Sequence, residues 1–342
     1  MTKQTKKTKQ YFNIGLMTLH ASALAARFRI GQRPKRFRPE LPRFLLERRD
    51  SYGLFLFVNW LLSINHTPTA AGHMAVTVGV LALQGGFQEH LSLLHKAAQH
   101  IANSPIHKDH YAFDFIEVRD PPSLARCDAL IIPGGESTTI ALIAAQSGLM
   151  EPLREFVKTA QKPTWGTCAG LILLAEEANS TKKGGQELIG GLDVRVHRNH
   201  FGRQIESFVA DVELPFLEQS ELLSAPDSAV PFSGVFIRAP VVEQLLAPPG
   251  ATLVPVPPKV TVGNVNSKKA DVEVLGVLPG RTARVNGSAL GNTTELQKGD
   301  LNDIVAVRQG NVMGTSFHPE LTDDVRIHVW WLEQVLKTIP GK

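Results

Sequence analysis

The eight residues 163–170, PTWGTCAG, decide the fold of this chain, because they join a short extended segment to an apolar helix through one sharp turn. The helix is predicted over residues 169–178, so Cys168 stands at the tip of the turn. Gly166 and Gly170 permit the tight turn and the close approach of a substrate. The N-terminus of the helix favours a thiolate and a developing oxyanion at the sulfur. A buried structural cysteine is the alternative interpretation, since free cysteine is among the most buried residue types.

Upstream of this turn, apolar runs of strand length alternate with segments of helical spacing. The strands are predicted at 76–83, 113–118 and 128–133, and the helices at 87–102, 137–147 and 151–159. This alternation predicts an α/β fold of three layers, a mostly parallel sheet with helices on both faces.

Ligands of such folds bind at the carboxyl ends of the strands. Three glycine-bearing turns fall at such ends and are predicted to meet at one rim of the sheet. They are the turn at residues 84–86, the turn at 134–137 and the turn that carries Cys168. This convergence favours a catalytic role for the cysteine.

The second half of the chain is richer in β-type segments. Strands are predicted at 194–197, 207–212, 235–239, 252–256 and 272–277, followed by a hairpin of 304–307 and 312–317 and a closing helix at 325–337. Residues 258–303 are otherwise polar and rich in Gly, Asn, Lys and Ser, and are interpreted as a surface insertion.

The N-terminal segment differs from the rest in charge. Residues 1–75 carry 13 Lys and Arg against 3 Asp and Glu, whereas the remaining 267 residues carry 23 against 29. The basic balance therefore belongs to this segment and supports no nucleic-acid role for the rest. We interpret 1–73 as a basic extension, disordered or absent from the mature protein, with Met74 as the start of a working domain over 74–342. A mitochondrial presequence and a tail that binds RNA or anionic membrane are the alternatives.

Composition excludes several classes of protein. A hydrophobic share of 43% with 20% charged residues is typical of a soluble globular protein. Cys127 and Cys168 are the only cysteines, so no disulfide framework is expected and a reducing compartment, the cytoplasm, is favoured. The apolar run at residues 52–62 is too short to span a bilayer. Neither metal-ligand spacing nor a phosphate-binding loop occurs, and no metal site is expected.

A thiolate nucleophile needs a base, and the base needs a group that orients it. Among the twelve histidines, His318 follows a predicted strand in the sequence SFHPE, residues 316–320. In extended chain, residues two apart face the same side, so Glu320 can fix the tautomer of His318. A strand-end histidine with a solvated glutamate is the alternative.

With these motifs in place, residues 76–336 resemble the class I glutamine amidotransferases, and more closely the glutaminase subunits of pyridoxal 5′-phosphate synthase. The matching segments are 79–85 (GVLALQG), 133–139 (PGGESTT), 166–171 (GTCAGL), 198–204 (RNHFGRQ), 236–240 (FIRAP) and 316–321 (SFHPEL). The cysteine turn and the His-Pro-Glu segment are shared by the whole class. The resemblance implies a flavodoxin-like, three-layer α/β fold and hydrolysis of L-glutamine to L-glutamate and ammonia.

The resemblance implies that in this reaction Cys168 forms a thioester, His318 transfers protons and Glu320 holds His318 in position. The backbone N–H groups of Gly135 and Ala169 are expected to bind the oxyanion. To bind glutamine, a site needs an anion near the ammonium group and cations or N–H groups near the carboxylate. The positions that match the family's glutamine-binding residues are Gly135, Glu136, Ser137, Arg198, Ile237 and Arg238.

The resemblance also implies a partner, the TIM-barrel synthase subunit, in a large hetero-oligomer, with the turn at residues 84–85 responding to its docking. Pyridoxal phosphate is expected to form on that partner, so no cofactor, nucleic acid or membrane is assigned to this chain. The N-terminal segment and the insertion depart from the family pattern without interrupting a motif. Two other functions stay open: a class I glutaminase of another biosynthetic pathway, and a non-catalytic, basic-tailed interaction protein.

Overall fold

The computed structural model describes residues 74–104, 111–179, 186–198, 207–224, 227, 229–246, 270–278 and 303–339. The expectations for 1–73, for a strand at 252–256, for 199–204 and for most of 258–303 lie outside these residues. Within the insertion, the predicted strand at 272–277 is described, and it pairs with a later strand of the main sheet.

Twelve strands and six α-helices are formed by the described residues. The strands are β1 Met74–Leu81, β2 Tyr111–Val118, β3 Ala129–Ile132, β4 Thr164–Thr167, β5 Ala175–Ala178, β6 Leu192–His197, β7 Ser207–Val212, β8 Phe232–Ile237, β9 Val241–Leu245, β10 Val272–Leu278, β11 Asp303–Gln309 and β12 Val312–Thr315. The helices are α1 Phe87–Asn103, α2 Pro121–Ala125, α3 Ser137–Gln146, α4 Met150–Arg154, α5 Ala169–Leu174 and α6 Arg326–Thr338. A π-helical turn, Glu155–Thr159, extends α4, and 3-10 turns lie at Pro215–Gln219 and Pro319–Leu321.

One sheet of ten strands organises the described residues, in the order β2-β1-β3-β4-β12-β11-β9-β6-β5, with β10 paired to β11. The first five strands are parallel throughout. From β12 onward the pairs are antiparallel, except β5 and β6, and β7 with β8 forms a separate hairpin. The predicted α/β fold with a mostly parallel sheet is confirmed.

The sheet has a hydrophobic core on each face, because side chains alternate along its strands. In β3, Ala129 and Ile131 join the core that contains residues of α1 and α6. Leu130 and Ile132 join the opposite core, with residues of α3, α4 and α5. Helices therefore cover both faces of the sheet, as predicted. No helix in the described part of the chain is long and apolar enough to cross a membrane.

The structure departs from the prediction at one predicted helix and at one strand that was not predicted. The helix predicted over 169–178 ends at Leu174, and residues 175–178 form β5, which is parallel to β6. Glu177 pairs with Arg195 in the β-ladder between β5 and β6 and also through an ion pair. This pairing replaces the helical continuation that the apolar run indicated. The strand β9 was not predicted at all.

The buried face of α1 includes a histidine. Of the apolar residues at helical spacing, Leu91, Leu94, Ala98 and Ile101, the structure buries Leu94 and Ile101, and it also buries His90, Leu93 and Ala97. His90 therefore lies on the inner face of α1, among the apolar residues of the core.

Candidate active site

Cys168 occupies a strained turn between β4 and α5. Its φ of 49° and ψ of −99° fall where residues other than glycine are rare. Such a conformation costs about 1–3 kcal/mol and persists where the surroundings enforce it. Here β4 lies between β3 and β12, and the Cys168 N–H donates to Thr315 O at 2.8 Å. The turn therefore holds the thiol at the carboxyl rim of the sheet, as the sequence indicated.

Gly166 and Gly170 serve this turn by close packing rather than by unusual backbone angles. A methyl group on Gly166 would lie 2.7 Å from Leu174 Cδ1, and one on Gly170 would overlap the backbone of Ile132. The absence of side chains lets α5 approach β3 and β4. The unusual φ belongs to Cys168 itself.

His318 and Glu320 follow β12 at the N-cap and within the 3-10 turn, respectively, rather than in the extended chain that was expected. His318 Nδ1 and Glu320 Oε1 are 2.7 Å apart. The backbone N–H of His318 donates to Val235 O at 2.8 Å, which ties the turn to the hairpin strand β8. Both side chains are buried, so their interaction is little screened by water.

The charges of His318 and Glu320 are determined by the groups around them. Burial alone would lower the pKa of His318, but hydrogen bonds to Cys168 and Glu320 and their charges raise it to about 10. Burial would raise the pKa of Glu320, yet interactions with His90 and His318 hold it well below its usual range. The site therefore favours an imidazolium between the sulfur and a carboxylate.

Gly134 forms the floor beneath these groups. A methyl group there would lie 2.6 Å from His318 Nδ1 and 3.3 Å from Cys168 Cβ. The Gly134 N–H donates to Thr167 Oγ1 at 2.9 Å, and its carbonyl accepts from the Gly86 N–H at 3.2 Å. The three glycine-bearing turns therefore meet at one rim, as expected.

The two expected oxyanion donors border this floor. Gly135 follows Gly134 directly, and Gln84 Oε1 accepts the next N–H, that of Glu136, at 2.7 Å. Ala169 is the first residue of α5, where backbone N–H groups lack partners within the helix. Gln84 was expected only as part of a turn, and the structure shows that its side chain orients the 135–136 peptide.

Ser137 and Arg198, far apart in sequence, converge on one amide. Gln186 Oε1 accepts from Ser137 Oγ at 3.1 Å and from Arg198 Nη1 at 2.6 Å. Arg198 also donates from Nε to Asn179 O at 3.1 Å. Nε2 of Gln186 is buried and has no hydrogen-bond partner among the residues that the structure describes. Gln186 was not predicted, since it follows a polar run, residues 180–185, with no motif.

Glu136 lies on the same side but is engaged as a helix cap. Its carboxylate accepts hydrogen bonds from the backbone N–H groups of Thr138 and Thr139 and from both hydroxyls. Although burial opposes ionisation, these bonds lower the pKa of Glu136 to about 2. The carboxylate is thus ionised and held at the start of α3.

Ile237 and Arg238 reach the site from the end of β8. The carbonyl oxygen of Ile237 lies 3.9 Å from Cys168 Sγ. Arg238 follows with a φ of 45° and an exposed side chain. The bond between His318 N and Val235 O explains why this strand end stands beside the nucleophile.

Two further histidines, His90 of α1 and His328 of α6, lie behind Glu320 and were not predicted. His90 Nε2 is 3.3 Å from Glu320 Oε2, and His90 Nδ1 is 3.0 Å from His328 Nε2. Twelve histidines without a motif gave no reason to select these two. Their position on the inner faces of amphipathic helices was the available signal. No group of three or more metal-ligating side chains in the described ranges could hold a metal ion.

Comparison with known proteins gives a consistent picture. The sequence profile of the SNO glutamine amidotransferase family matches residues 80–275 and 281–337. The probable pyridoxal 5′-phosphate synthase subunit PDX2 of Arabidopsis thaliana is 43% identical over 270 residues, which cover 78% of this chain and 88% of the relative.

Further similar proteins cover a comparable share of the chain. Pyridoxal 5′-phosphate synthase subunit PdxT of Streptomyces avermitilis is 40% identical over 75% of this chain and 93% of its own length. The crystal structure of a glutamine amidotransferase is 36% identical, covers 75% of this chain and 98% of its own, and has a TM-score of 0.49.

Proposed function

Because the chain belongs to the SNO glutamine amidotransferase family, we propose that Cys168, His318 and Glu320 hydrolyse glutamine. The chain is the glutaminase of a pyridoxal 5′-phosphate synthase, by its family and by its similarity to PDX2 and PdxT proteins. One observation carries the assignment of residues. The thiol of Cys168, whose backbone is strained, lies beside His318, and the buried carboxylate of Glu320 orients that histidine.

The reaction proceeds in two steps on these groups. The Cys168 thiolate attacks the carboxamide carbon of glutamine, and His318 gives its proton to the departing nitrogen, which leaves as ammonia. Water then loses a proton to His318 and attacks the thioester, which releases glutamate and restores the thiolate. Glu320 keeps Nδ1 of His318 protonated, so that Nε2 faces the reacting atoms.

The oxyanion of both tetrahedral intermediates is bound by the N–H groups of Gly135 and Ala169. Support comes from the position of Ala169 directly after Cys168 and from the Gly134 carbonyl, which shares a peptide unit with the Gly135 N–H and accepts from the Gly86 N–H at 3.2 Å. The carbonyl oxygen of Ile237 lies 3.9 Å from the sulfur and bounds the space for the substrate.

Glutamine is held by its zwitterionic end along the rim. Arg198 and Ser137, joined through Gln186, bind the carboxylate together with Arg238. Glu136 supplies negative charge for the ammonium group while it caps α3, and backbone groups of Gly135 and Ile237 complete the site.

Ammonia passes to a synthase subunit, which we propose to be a TIM barrel in a large hetero-oligomer. Pyridoxal phosphate forms on that subunit, and this chain carries no cofactor. The working domain comprises residues 74–342, with 1–73 as an extension and an insertion around 258–303. A nucleophilic thiol must stay reduced, which favours the cytoplasm.

The test measures ammonia and glutamate released by the full chain, with and without the synthase subunit. We expect release that rises with the partner and is abolished in Cys168→Ala, while the complex still forms. A different synthase in the purified complex would place the chain in another pathway. Complex formation without ammonia release from glutamine in either condition would overturn the mechanism.

A further inference from the structure

Behind His318 and Glu320 lies a row of buried side chains that the proposed mechanism leaves unused. Glu320 turns one carboxylate oxygen to each of two histidines, Oε1 to His318 at 2.7 Å and Oε2 to His90 at 3.3 Å. The second ring nitrogen of His90, Nδ1, lies 3.0 Å from Nε2 of His328. His90 and His328 are fully buried, so water cannot replace these partners.

The contacts of this row favour one placement of protons. Glu320 Oε2 has no hydrogen bond of good geometry among the described residues, and His90 Nε2 approaches it at 3.3 Å. An ionised carboxylate only accepts, so this approach is attractive when Nε2 carries the proton; a bare Nε2, accepting from the Thr167 hydroxyl at 3.2 Å, would face the carboxylate with a lone pair. A neutral His90 then has a bare Nδ1, which accepts the Nε2–H of His328. His328 in turn is left with a bare Nδ1, and that atom has no hydrogen-bond partner among the described residues. Burial and the neighbouring His90 hold the pKa of His328 well below its ordinary value, which keeps the ring neutral.

The rings are fixed in place by the strand that ends at the nucleophile. Trp165 of β4 contacts His90 and His328 edge-on, with centroid separations of 5.6 Å and 4.9 Å. Thr167 Oγ1 lies 3.2 Å from His90 Nε2 and also accepts the N–H of Gly134. The row is therefore packed against both the cysteine turn and the floor of the site.

We propose that His90 is a positioning residue for the glutaminase reaction, and that His328 fixes the tautomer in which His90 donates to Glu320. Without the His90 N–H, Oε2 of the buried Glu320 carboxylate loses its 3.3 Å contact with a histidine, and the carboxylate is free to rotate away from His318. His90 acts through Glu320 and does not touch the substrate. The inference rests on the proposed glutaminase function for its activity measurement.

The test compares His90→Leu, which removes the donor, with His90→Gln, whose amide NH₂ lies near the position of Nε2. His95→Leu on the exposed side of α1 is the matched control. We expect His90→Leu to lower kcat roughly 10–100-fold, the range found for residues that orient a ligand from outside the reacting shell. The KM for glutamine should change less than about twofold, because substrate binding is untouched. His90→Gln should recover most of the loss.

The pH profile separates positioning from simple stabilisation. The titratable groups that face this row are Cys168 on His318, and His90 and His328 behind Glu320. Loss of the donor makes the Glu320 carboxylate easier to protonate, so the acid limb of kcat/KM should move to higher pH by about half a unit or more in His90→Leu. A loss that follows thermal stability alone, with an unmoved acid limb and no recovery in His90→Gln, would overturn the proposal.

A second measurement needs no folded variant. Nitrogen-15 spectra of the histidine rings in the wild-type chain should show His90 protonated on Nε2 and bare on Nδ1. A His90 proton on Nδ1 would refute the arrangement. An inactive wild-type enzyme would instead contradict the proposed function, so the two failures are distinguishable.

Discussion

At the scale of single residues, the two cysteines of this chain have opposite surroundings. Cys127 is fully buried, and burial raises its pKa to about 12, so its thiolate is scarce at neutral pH. Cys168 keeps 5% exposure at the carboxyl rim of the sheet, beside His318, whose raised pKa reflects its interactions with Cys168 and Glu320. Iodoacetamide should therefore alkylate Cys168 and leave Cys127 unmodified in the folded protein.

Peptide mass spectrometry after brief treatment checks this prediction, and Cys127 is an internal control within the same chain. Glutamine present in excess should slow the labelling of Cys168. Equal labelling of both cysteines in the native protein would contradict the assignment of the nucleophile.

The pH range of activity follows from His318. Its pKa is raised from 6.5 to about 10, so the imidazolium that protonates ammonia persists through neutral pH. We expect kcat/KM to fall only as the pH rises toward about 10. The same shift makes the charged pair a source of stability that is complete below pH 6.5 and is lost as the pH rises through about 10.

Replacing the carboxylate tests this cause. Glu320→Gln removes the negative partner, so the alkaline limb should move toward the ordinary histidine pKa and kcat should fall by roughly two orders of magnitude or more. Rates measured between pH 5 and 11, with thermal unfolding at each pH, provide both profiles. An alkaline limb already near 6.5 in the wild-type chain would be inconsistent with the geometry of the pair.

What the sequence predicts about the site depends on whether a residue belongs to a local motif. The neighbouring residues in the chain identify Cys168, and in the same way they identify the pair of His318 and Glu320. His90 and Gln186 do not, because their partners are far away: His328 is 238 residues from His90, and Ser137 is 49 from Gln186. Tertiary contacts of this kind leave no periodic signal in one sequence.

At the scale of elements, the strands and helices were predictable where burial imposes a regular pattern. Parallel strands such as β1 and β3 are covered on both faces and read as continuous apolar runs. The end of α5 was not predictable, since the apolar run from residue 169 is compatible with a helix or a buried strand. Pairing with β6, a distant segment, decides where that helix ends.

The turn after β3 offers a test at this scale. Gly134→Ala should displace the His318 ring, because the new methyl group would lie 2.6 Å from Nδ1. We expect kcat to fall by about 100-fold or more, since a misplacement near 1 Å can cost that much. Ammonia release with the synthase subunit is the measurement.

Gly148→Ala is the matched control for this change. Gly148 has a φ of +73° and no atom within 4 Å of an added methyl group, so alanine there strains only the backbone. It should lower the free energy of unfolding by about 1 kcal/mol and leave activity unchanged. Equal activity losses in the two variants would show that stability, not the site, was affected.

At the scale of the whole molecule, the described active site is contained in the part of the chain that follows the basic segment. Its residues run from Gln84 to Glu320, and the first strand among the described residues, β1, begins at Met74. The strong positive charge lies before this point, with 13 basic against 3 acidic residues in 1–75. We therefore predict that a chain starting at Met74 keeps the fold and the glutaminase activity.

The truncated and full chains should have melting temperatures that agree closely and equal ammonia release with the synthase subunit at moderate ionic strength. The basic segment should instead affect interactions that depend on charge, so any difference between the chains should shrink as salt is added. Cys168→Ala in the truncated chain controls for background ammonia. A truncated chain that unfolds, or that loses activity irrespective of salt, would mean that residues 1–73 are part of the working domain.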